Sequence, residues 1–354
     1  MSYFWTRVTI VFNTVVIVGF GSIGLRHARY TSQISKKLVV VDPSETIDTD
    51  LLIDFAIFAR YKCVTDLPAA SSTSDLVVIA NWGPDHFSTL KTCVDIGFRQ
   101  FVIEKPLTSK LSDLYELIKF ADKHKLRIVV NQGWEAQELG LRVRELGLYL
   151  GLGEPQAIWV TGGARCLSTS GSHQIRLASS IFNANPIEVV GHGKSDAINP
   201  RNKSLAYYEG VFSVLYSENK RLSMSYTNRS SVSGRVEIFW KEAIGEIISE
   251  EVLRITRRDE NRSFKTVITR YGIPDRVIFE GIPPFEIDKP QGYFEALYAK
   301  LIDVESTNLP NEFALHTLSH EVLLRLLISC EIGRTVSMDE NIGEELSSLD
   351  FKIS

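Results

Sequence analysis

TVVIVGFGSIG, residues 14–24, is the most informative stretch of this 354-residue chain. The apolar run before Gly19 predicts a buried strand, and the glycine-rich turn after it leads at once into a predicted helix. Gly19 allows a sharp turn, Gly21 lets the backbone approach a phosphate group, and Gly24 permits close packing of helix on strand. The free N–H groups at the start of such a helix face the charge of a bound pyrophosphate.

A second apolar run, residues 38–41, ends in Asp42, eighteen residues after Gly24. A carboxylate at the tip of the second strand can accept hydrogen bonds from an adenosine ribose, so strand, loop, helix and acid together predict a bound dinucleotide. The charge of Asp42 would repel the 2′-phosphate of NADP, and residues 43–45 offer no arginine to offset it. We therefore expect NAD as the cofactor, with NADP less favoured.

Strand and helix patterns alternate from residue 14 to about residue 130. Short apolar runs predict strands at 15–18, 38–41, 76–80, 101–103 and 127–130, and helical spacing is clearest at 112–124. Such alternation is typical of a parallel sheet with helices on both faces, whose ligands bind beyond the carboxyl ends of the strands. We predict that residues 1–131 form a doubly wound, Rossmann-type nucleotide-binding domain of α/β class.

The pattern changes after about residue 131. Helices are predicted at 141–150 and beyond His173, with a strand at 157–161. Runs that alternate with period two predict a meander of strands at 211–216, 221–226, 235–240, 246–248 and 264–269. Two helices, at 292–304 and 311–332, close the chain. We predict that residues 132–354 form an α+β domain with a large, mainly antiparallel sheet, open on one face.

The open face of this second sheet predicts self-association. Apolar residues such as Val211, Leu222 and Ile238 would be costly to leave in water on a face that no helix covers. We therefore expect a homodimer or homotetramer built through the second domain.

Composition and charge exclude several classes of partner. The chain is 44% hydrophobic and 23% charged with a net charge of −4, which argues against binding nucleic acid, and no apolar run predicts a membrane span. The 4 cysteines are scattered, so we expect free thiols in a reducing cytoplasm and no zinc site. His316 and His320 lie four apart on a predicted helix, but no third ligand is near them in sequence, so no metal is expected.

A lysine follows the predicted strand 101–103, in the motif Glu104–Lys105–Pro106. Its ammonium group would lie at the carboxyl edge of the sheet, where it could hydrogen-bond a substrate hydroxyl and stabilise negative charge on that oxygen. The alternative interpretation is a surface Glu–Lys pair that leads into a helix.

Taken in order, these motifs resemble the glucose–fructose oxidoreductase/inositol dehydrogenase/MocA (Gfo/Idh/MocA) family, over the chain from about residue 14. The resemblance is carried by the glycine loop followed by His27, Asp42, the turn at 79–86, Glu104–Lys105–Pro106, Asn131 and the segment 171–173. It implies an NAD(P)-dependent oxidoreductase of carbohydrate metabolism, which transfers hydride between nicotinamide and a hydroxyl or keto carbon of a sugar, nucleotide sugar or polyol. It also implies that the second domain builds the substrate pocket.

Carried over by position, the resemblance makes Lys105 the catalytic lysine and His173 the acid/base histidine. An imidazole titrates near neutral pH, which suits removal of a hydroxyl proton as hydride departs; the alternative for His173 is a buried structural histidine. The cofactor-binding residues are then Gly19, Phe20, Gly21, Ser22, Ile23, Gly24, Asp42, Asn81, Trp82, His86, Glu104 and Lys105.

Two positions near His173 depart from the family, which commonly has an aspartate four residues before this histidine and another three after it. Here those positions hold Thr169 and Arg176. We interpret Thr169, Arg176 and Trp134 as substrate-binding residues, although Thr169 cannot titrate. The departures leave an alternative function open, a dinucleotide-binding sensor or partner protein with little or no turnover. The presence of Lys105 and His173 favours the enzyme.

Overall fold

The computed structural model describes residues 10–44, 57–133, 135, 138–195, 199, 202–232, 234–249, 252–258, 274–283, 292–302 and 309–353. Within these residues the chain divides into two compact units. The first comprises Met1–Asn131, Pro290–His320 and Ser347–Ser354, and the second comprises Gln132–Lys289 and Glu321–Leu346. One domain was predicted for all of residues 132–354, whereas the segments 290–320 and 347–354 group with the first unit.

The first unit is built on a parallel sheet that has six strands in the described residues. Its elements up to residue 131 are β1 (Phe12–Val18), α1 (Ser22–Ile34), β2 (Ser35–Val41), β3 (Ile57–Tyr61), β4 (Leu76–Ile79), α2 (His86–Asp95), β5 (Gln100–Glu104), α3 (Leu111–Lys123) and β6 (Arg127–Asn131). The strand order is β3-β2-β1-β4-β5-β6, so the direction of strand addition reverses between β1 and β4. In such a sheet the ligand crevice lies at this switch point.

Burial explains which strands the sequence revealed. All four residues of β4 are buried, as are the last four of β1 and of β2, because helices cover both faces of a parallel sheet. Strand β3 was not predicted. It is an edge strand of sequence IFARY whose residues are all partly or fully exposed, so it carries no apolar run.

The remaining elements include a second large sheet. In chain order they are α4 (Leu139–Tyr149), β7 (Ala157–Gly163), α5 (Leu167–Phe182), β8 (Pro186–Lys194), β9 (Glu209–Tyr216), β10 (Arg221–Thr227), β11 (Arg235–Phe239), β12 (Ala243–Ser249), β13 (Val252–Arg258), β14 (Pro274–Gly281), α6 (Tyr293–Ile302), α7 (Leu309–Ile332), β15 (Val336–Ser337) and α8 (Glu344–Ser347). Among the described residues the sheet order is β14-β13-β12-β11-β7-β10-β9-β8-β15.

This sheet confirms the predicted fold class and corrects its details. Neighbouring strands are antiparallel except for β7 and β10, which pair in parallel, so the sheet is not a simple meander. Strands β8, β13 and β14 were not predicted, and the predicted strand at 264–269 lies outside the described residues. Helix α5 begins at Leu167, so His173 lies inside it and not before its start.

The two faces of the second sheet differ from the prediction as well. Leu222 and Ile238 are fully buried, as is Val214, the partner of Leu222 in register, whereas Val211 is 54% exposed. Side chains along a strand alternate between faces, so the expectation that all three residues share the open face is wrong for Leu222 and Ile238. Val211 is the one of the three that lies on the exposed face.

Helix α7 is long and apolar enough to cross a membrane by length and composition alone, with a mean hydropathy of 1.2 in its most apolar window. Two thirds of that window, 67%, is buried inside the protein. This burial is typical of the core helix of a globular protein, and within the described part of the chain no second helix passes the same test.

Candidate active site

Two glycines of the loop after β1 are required by the fold itself. Gly19 has φ +87°, and a β-carbon there would lie 2.6 Å from the backbone nitrogen of Asn81. A β-carbon on Gly24 would overlap the carbonyl oxygen of Gly19, so α1 approaches β1 this closely only with glycine at this position.

Gly21 has no such reason within the protein. Its φ of −77° suits any residue, and a β-carbon there would meet nothing within 4 Å. Helix α1 begins next to it at Ser22, with no side-chain cap and no acidic residue in its first turn. Uncapped N–H groups beside open space form a cradle that fits a phosphate group, and a β-carbon on Gly21 would enter that space.

Asp42 follows β2 on one side of this cradle. Its Oδ2 accepts a hydrogen bond of 2.6 Å from the N–H of Phe20, and its Oδ1 accepts one of 2.8 Å from the N–H of Ser44. Each carboxylate oxygen has a second lone pair, so Asp42 can still accept hydrogen bonds from a ribose. Of the other loop residues, Phe20 is buried, Ile23 is half-buried and Ser22 is exposed.

Arg60 of β3 is a neighbour of Asp42 that sequence reasoning missed. Its Nη2 donates a hydrogen bond to the carbonyl oxygen of Ser44, and its buried Nε has no partner among the described residues. No arginine lies among residues 43–45, which follow Asp42 directly in the chain. Strand β3 pairs in parallel with β2, and this pairing sets Arg60 beside Val40. It thus places the Arg60 guanidinium near the loop of Asp42, although the two residues are eighteen positions apart in the chain.

His86 joins the turns that follow β4 and β5. It is fully buried, with Nδ1 2.7 Å from the carbonyl oxygen of Pro106 and Nε2 2.9 Å from that of Asn81. Burial lowers the pKa of His86, although the hydrogen bonds to these two oxygens act in the opposite direction. Both ring nitrogens face the backbone, so this placement offers a tie between two loops and no direct contact for a cofactor, which was the predicted role.

Asn81 and Trp82 follow β4, on the other side of the glycine loop from Asp42. The Nδ2 of Asn81 donates a hydrogen bond of 2.9 Å to Thr89, while its buried Oδ1 has no partner in the described part of the chain. The Trp82 side chain is 44% exposed. A buried acceptor without a hydrogen bond costs free energy of folding. A hydrogen-bond donor on a bound ligand would therefore suit Asn81 Oδ1.

Glu104 ends β5, and the half-buried Lys105 follows it at the same edge of the sheet. The Oε1 of Glu104 accepts hydrogen bonds of 2.9 Å from His27 Nε2 and of 2.5 Å from Asn131 Nδ2. Burial by itself would raise the pKa of Glu104, but these hydrogen bonds and the charge of Lys105 outweigh it and lower the pKa. Glu104 is one of the predicted cofactor-binding residues, and its carboxylate is engaged by His27 and Asn131 inside the first unit.

His173 lies in the second unit, on α5, where it is half-buried between the buried residues Ser172 and Gln174. The backbone of Gly133 lies against its ring, since a β-carbon there would be 2.9 Å from Nδ1. Thr169 is one helical turn before His173 and is also partly exposed, and its Oγ1 is 3.2 Å from the Cys166 sulfur. Thr169 and His173 therefore share one side of α5.

Arg176 is engaged within the second unit. Its Nη1 is 3.3 Å from Glu135 Oε2, and the Arg176 and Glu135 side chains are 11% and 3% exposed. Ser180 bridges the pair, because it accepts a hydrogen bond from Arg176 and donates one of 2.5 Å to Glu135. The guanidinium was predicted to bind substrate and instead forms a nearly buried ion pair. Trp134, the third predicted substrate-binding residue, lies outside the described residues.

His316 and His320 are both buried on α7. Nδ1 of His320 is 2.7 Å from the carbonyl oxygen of His316, and burial lowers the pKa of His320 to about 4. Among the described residues no group of three or more His, Cys, Asp or Glu side chains is arranged to hold a metal ion.

Comparison with solved structures finds similar folds over nearly the whole chain. An oxidoreductase from Agrobacterium radiobacter, solved with NAD+, L-tartaric acid and magnesium, has a TM-score of 0.66 at 15% identity and covers 92% of this chain and 98% of its own. UDP-N-acetylglucosamine 3-dehydrogenase GnnA from Acidithiobacillus ferrooxidans has a TM-score of 0.61 at 17% identity, with 91% and 97% covered. Apo scyllo-inositol dehydrogenase from Lactobacillus casei has a TM-score of 0.64 at 11% identity, with 94% and 100% covered.

At these identities the solved structures establish the fold. Comparison with curated protein sequences gives no match. Comparison with protein-family models matches residues 13–132 to GFO_IDH_MocA, described as an oxidoreductase family with an NAD-binding Rossmann fold. This match confirms the resemblance drawn from the motifs, and with it NAD as the cofactor. Residues 13–132 of this chain therefore match the NAD-binding Rossmann fold of the GFO_IDH_MocA oxidoreductase family.

Proposed function

We propose that the protein transfers hydride between NAD and a hydroxyl or keto carbon of a sugar, nucleotide sugar or polyol. Two of the solved structures that share its fold are named as a nucleotide-sugar dehydrogenase and an inositol dehydrogenase, which supports this substrate class. The oxidoreductase family of residues 13–132 supports the reaction type.

The observation that carries the proposal is the arrangement at the carboxyl edge of the first sheet. Asp42, on the β2 side of the glycine loop, suits the adenosine ribose, and the cradle beside Gly21 suits the pyrophosphate. The nicotinamide half of the dinucleotide would then extend toward β4 and β5. Asn81 follows β4, and Lys105 follows β5. The chain thus offers a lysine on the side of the crevice that the nicotinamide would occupy.

Each residue of the proposed reaction has a defined task. A bound NAD would supply the acceptor for the hydride of the substrate carbon. Lys105 donates a hydrogen bond to the substrate oxygen and stabilises its negative charge, while His173 removes the hydroxyl proton. The substrate C–H and O–H bonds break and a carbonyl forms; in the reverse direction His173 returns the proton.

The test is turnover of purified protein with NAD and a panel of sugars, nucleotide sugars and polyols, followed by the absorbance of reduced nicotinamide. With an accepted substrate, Lys105→Ala and His173→Ala should each lower kcat about a hundredfold or more, because both residues act mainly in the transition state. Thr169→Ala serves as the matched variant on the same side of α5, and its loss should be about tenfold, on the scale of one hydrogen bond.

NAD affinity separates this proposal from its alternative. Lys105→Ala and His173→Ala should bind NAD nearly as tightly as the original protein does, because neither substitution removes the phosphate cradle. Tight NAD binding with no turnover on the whole panel would favour the dinucleotide-binding sensor or partner protein. Full activity of His173→Ala would show that the proton leaves by another route.

We also propose that the protein is cytoplasmic and assembles as a homodimer or homotetramer through the open face of the second sheet. Trp159, Val211 and Ile248 are 51%, 54% and 45% exposed. Register places them on the same face, opposite the one that buries Leu222 and Ile238. A second copy of the chain would remove this apolar surface from water.

A further inference from the structure

A chain of buried polar side chains within the first unit links α6 to the residue before Lys105. His27 lies on the buried face of α1 and is fully buried, as is Tyr298 of α6. The Tyr298 hydroxyl is 2.7 Å from His27 Nδ1, and His27 Nε2 is 2.9 Å from Glu104 Oε1. Asn131 donates to the same oxygen, and the hydroxyl of Tyr293 donates to Asn131 Oδ1.

The positions of the hydrogens in this network follow from the chemistry of its members. An ionised Glu104 only accepts hydrogen bonds, so His27 must carry a hydrogen on Nε2. Burial raises the pKa of Tyr298 well above its usual value, so its hydroxyl stays protonated and can donate a hydrogen bond to His27 Nδ1. Both ring nitrogens of His27 are therefore engaged, Nδ1 with Tyr298 and Nε2 with Glu104.

The network holds the carboxylate of Glu104, the residue directly before Lys105 in the chain. The charges of Glu104 and Lys105 interact, since Lys105 lowers the pKa of Glu104. A buried carboxylate that loses its donors becomes neutral, because an unpaired charge in the protein interior is costly. An ionised carboxylate next to Lys105 favours the ammonium form of the lysine. No member of the network has to touch a substrate for this effect to operate.

We propose that His27 and Tyr298 are positioning residues, which hold the carboxylate of Glu104 beside Lys105 and so keep Lys105 charged and oriented for its role. The inference rests on the proposed function, to which it adds residues of α1 and α6. It gives the segment after residue 290 a part in the chemistry of the nucleotide-binding unit.

The first test measures Lys105 and needs no substrate. The rate at which an amine-selective reagent modifies Lys105 at neutral pH, followed by mass spectrometry, reports the fraction of neutral amine. His27→Leu and Glu104→Gln should raise this rate about threefold or more, because each removes the ionised carboxylate. His27→Gln, which keeps a donor for Glu104, should restore a rate near that of the original protein.

Tyr30→Phe is the matched control for Tyr298→Phe. Tyr30 stacks on Tyr298 with ring centroids 5.2 Å apart, and its hydroxyl makes none of the network's contacts. Tyr298→Phe should raise the labelling rate of Lys105 and Tyr30→Phe should not. Equal labelling rates in all variants would overturn the inference, whether or not the protein turns over a sugar.

The second test uses an accepted substrate. His27→Leu and Tyr298→Phe should lower kcat about tenfold and threefold while the KM for NAD changes by less than about twofold, and His27→Gln should recover most of the loss. Reduced thermal stability with unchanged kcat would contradict positioning and leave a structural role. Absence of turnover in the original protein would count against the proposed function alone, because the labelling result decides the network separately.

Discussion

At the scale of single residues, the three glycines of the loop after β1 have different physical reasons. Gly19 and Gly24 are fixed by contacts inside the protein, whereas Gly21 faces open space beside the uncapped start of α1. Substitution of Gly19 or Gly24 should therefore lower the stability of the protein, whereas substitution of Gly21 should lower its affinity for the dinucleotide.

Gly24→Ala and Gly21→Ala form a matched pair that tests this separation. Gly24→Ala should destabilise the protein by about 1–3 kcal/mol, since its new methyl group overlaps the carbonyl of Gly19. Gly21→Ala should change stability by less than roughly 0.5 kcal/mol and weaken NADH binding about tenfold or more. Urea unfolding and titration of NADH fluorescence measure the two quantities. Unchanged NADH affinity in Gly21→Ala would mean that the phosphate binds elsewhere.

Asp42 and Arg60 together should set the choice between NAD and NADP. Asp42→Asn keeps an acceptor for the Phe20 N–H and removes the charge that repels a 2′-phosphate. It should narrow the preference for NAD over NADP about tenfold in dissociation constants measured by calorimetry. Adding Arg60→Gln should reverse part of that gain, because it removes the nearby cation. Tighter binding of NADP than of NAD by the original protein would contradict the role given to Asp42.

At the scale of elements, α5 carries two different kinds of side chain. Thr169 and His173 are partly exposed on one side of the helix, whereas Arg176 is held by Glu135 and Ser180. The charge of Arg176, which departs from the family pattern, is thus neutralised by Glu135.

Arg176→Ala should therefore act on stability. Removal of Arg176 leaves the almost buried carboxylate of Glu135 without its countercharge, and urea unfolding should show a loss of about 3 kcal/mol in stability. His173→Ala is the comparison on the same helix, and it should cost little stability while it lowers kcat about a hundredfold or more. A loss of substrate affinity in Arg176→Ala at unchanged stability would restore the substrate-binding role predicted from the sequence.

At the scale of the whole molecule, the open face of the second sheet predicts the state of assembly. Trp159→Lys places a charge on β7, the central strand of this sheet, and should convert the proposed dimer or tetramer into smaller species. Tyr149→Lys is the control, because Tyr149 is 87% exposed at the end of α4 and lies off the sheet. Sedimentation at micromolar concentration measures the masses, and a monomer for the original protein would contradict the proposal.

The local sequence pattern was sufficient to predict the central strands of the first sheet. Its central strands are short apolar runs buried on both faces, the glycine loop is contiguous in sequence, and Asp42, Asn81 and Lys105 each follow a strand. These features are local, so they predicted the fold class, the dinucleotide site and NAD before any contact was known. The half-exposed edge strand β3 has no comparable local signature.

Tertiary structure decided what depends on residues far apart in the chain. The pairing of β3 with β2 placed Arg60 beside the loop of Asp42. The alternation of side chains along β10 and β11 buried Leu222 and Ile238. The fold also brought Arg176 of α5 into an ion pair with Glu135. The network from Tyr298 through His27 to Glu104 spans three separate elements. A sequence records which side chains exist and their local periodicity, but partners arise only when packing closes long loops, so the sequence determined the class of site and the fold determined its electrostatics.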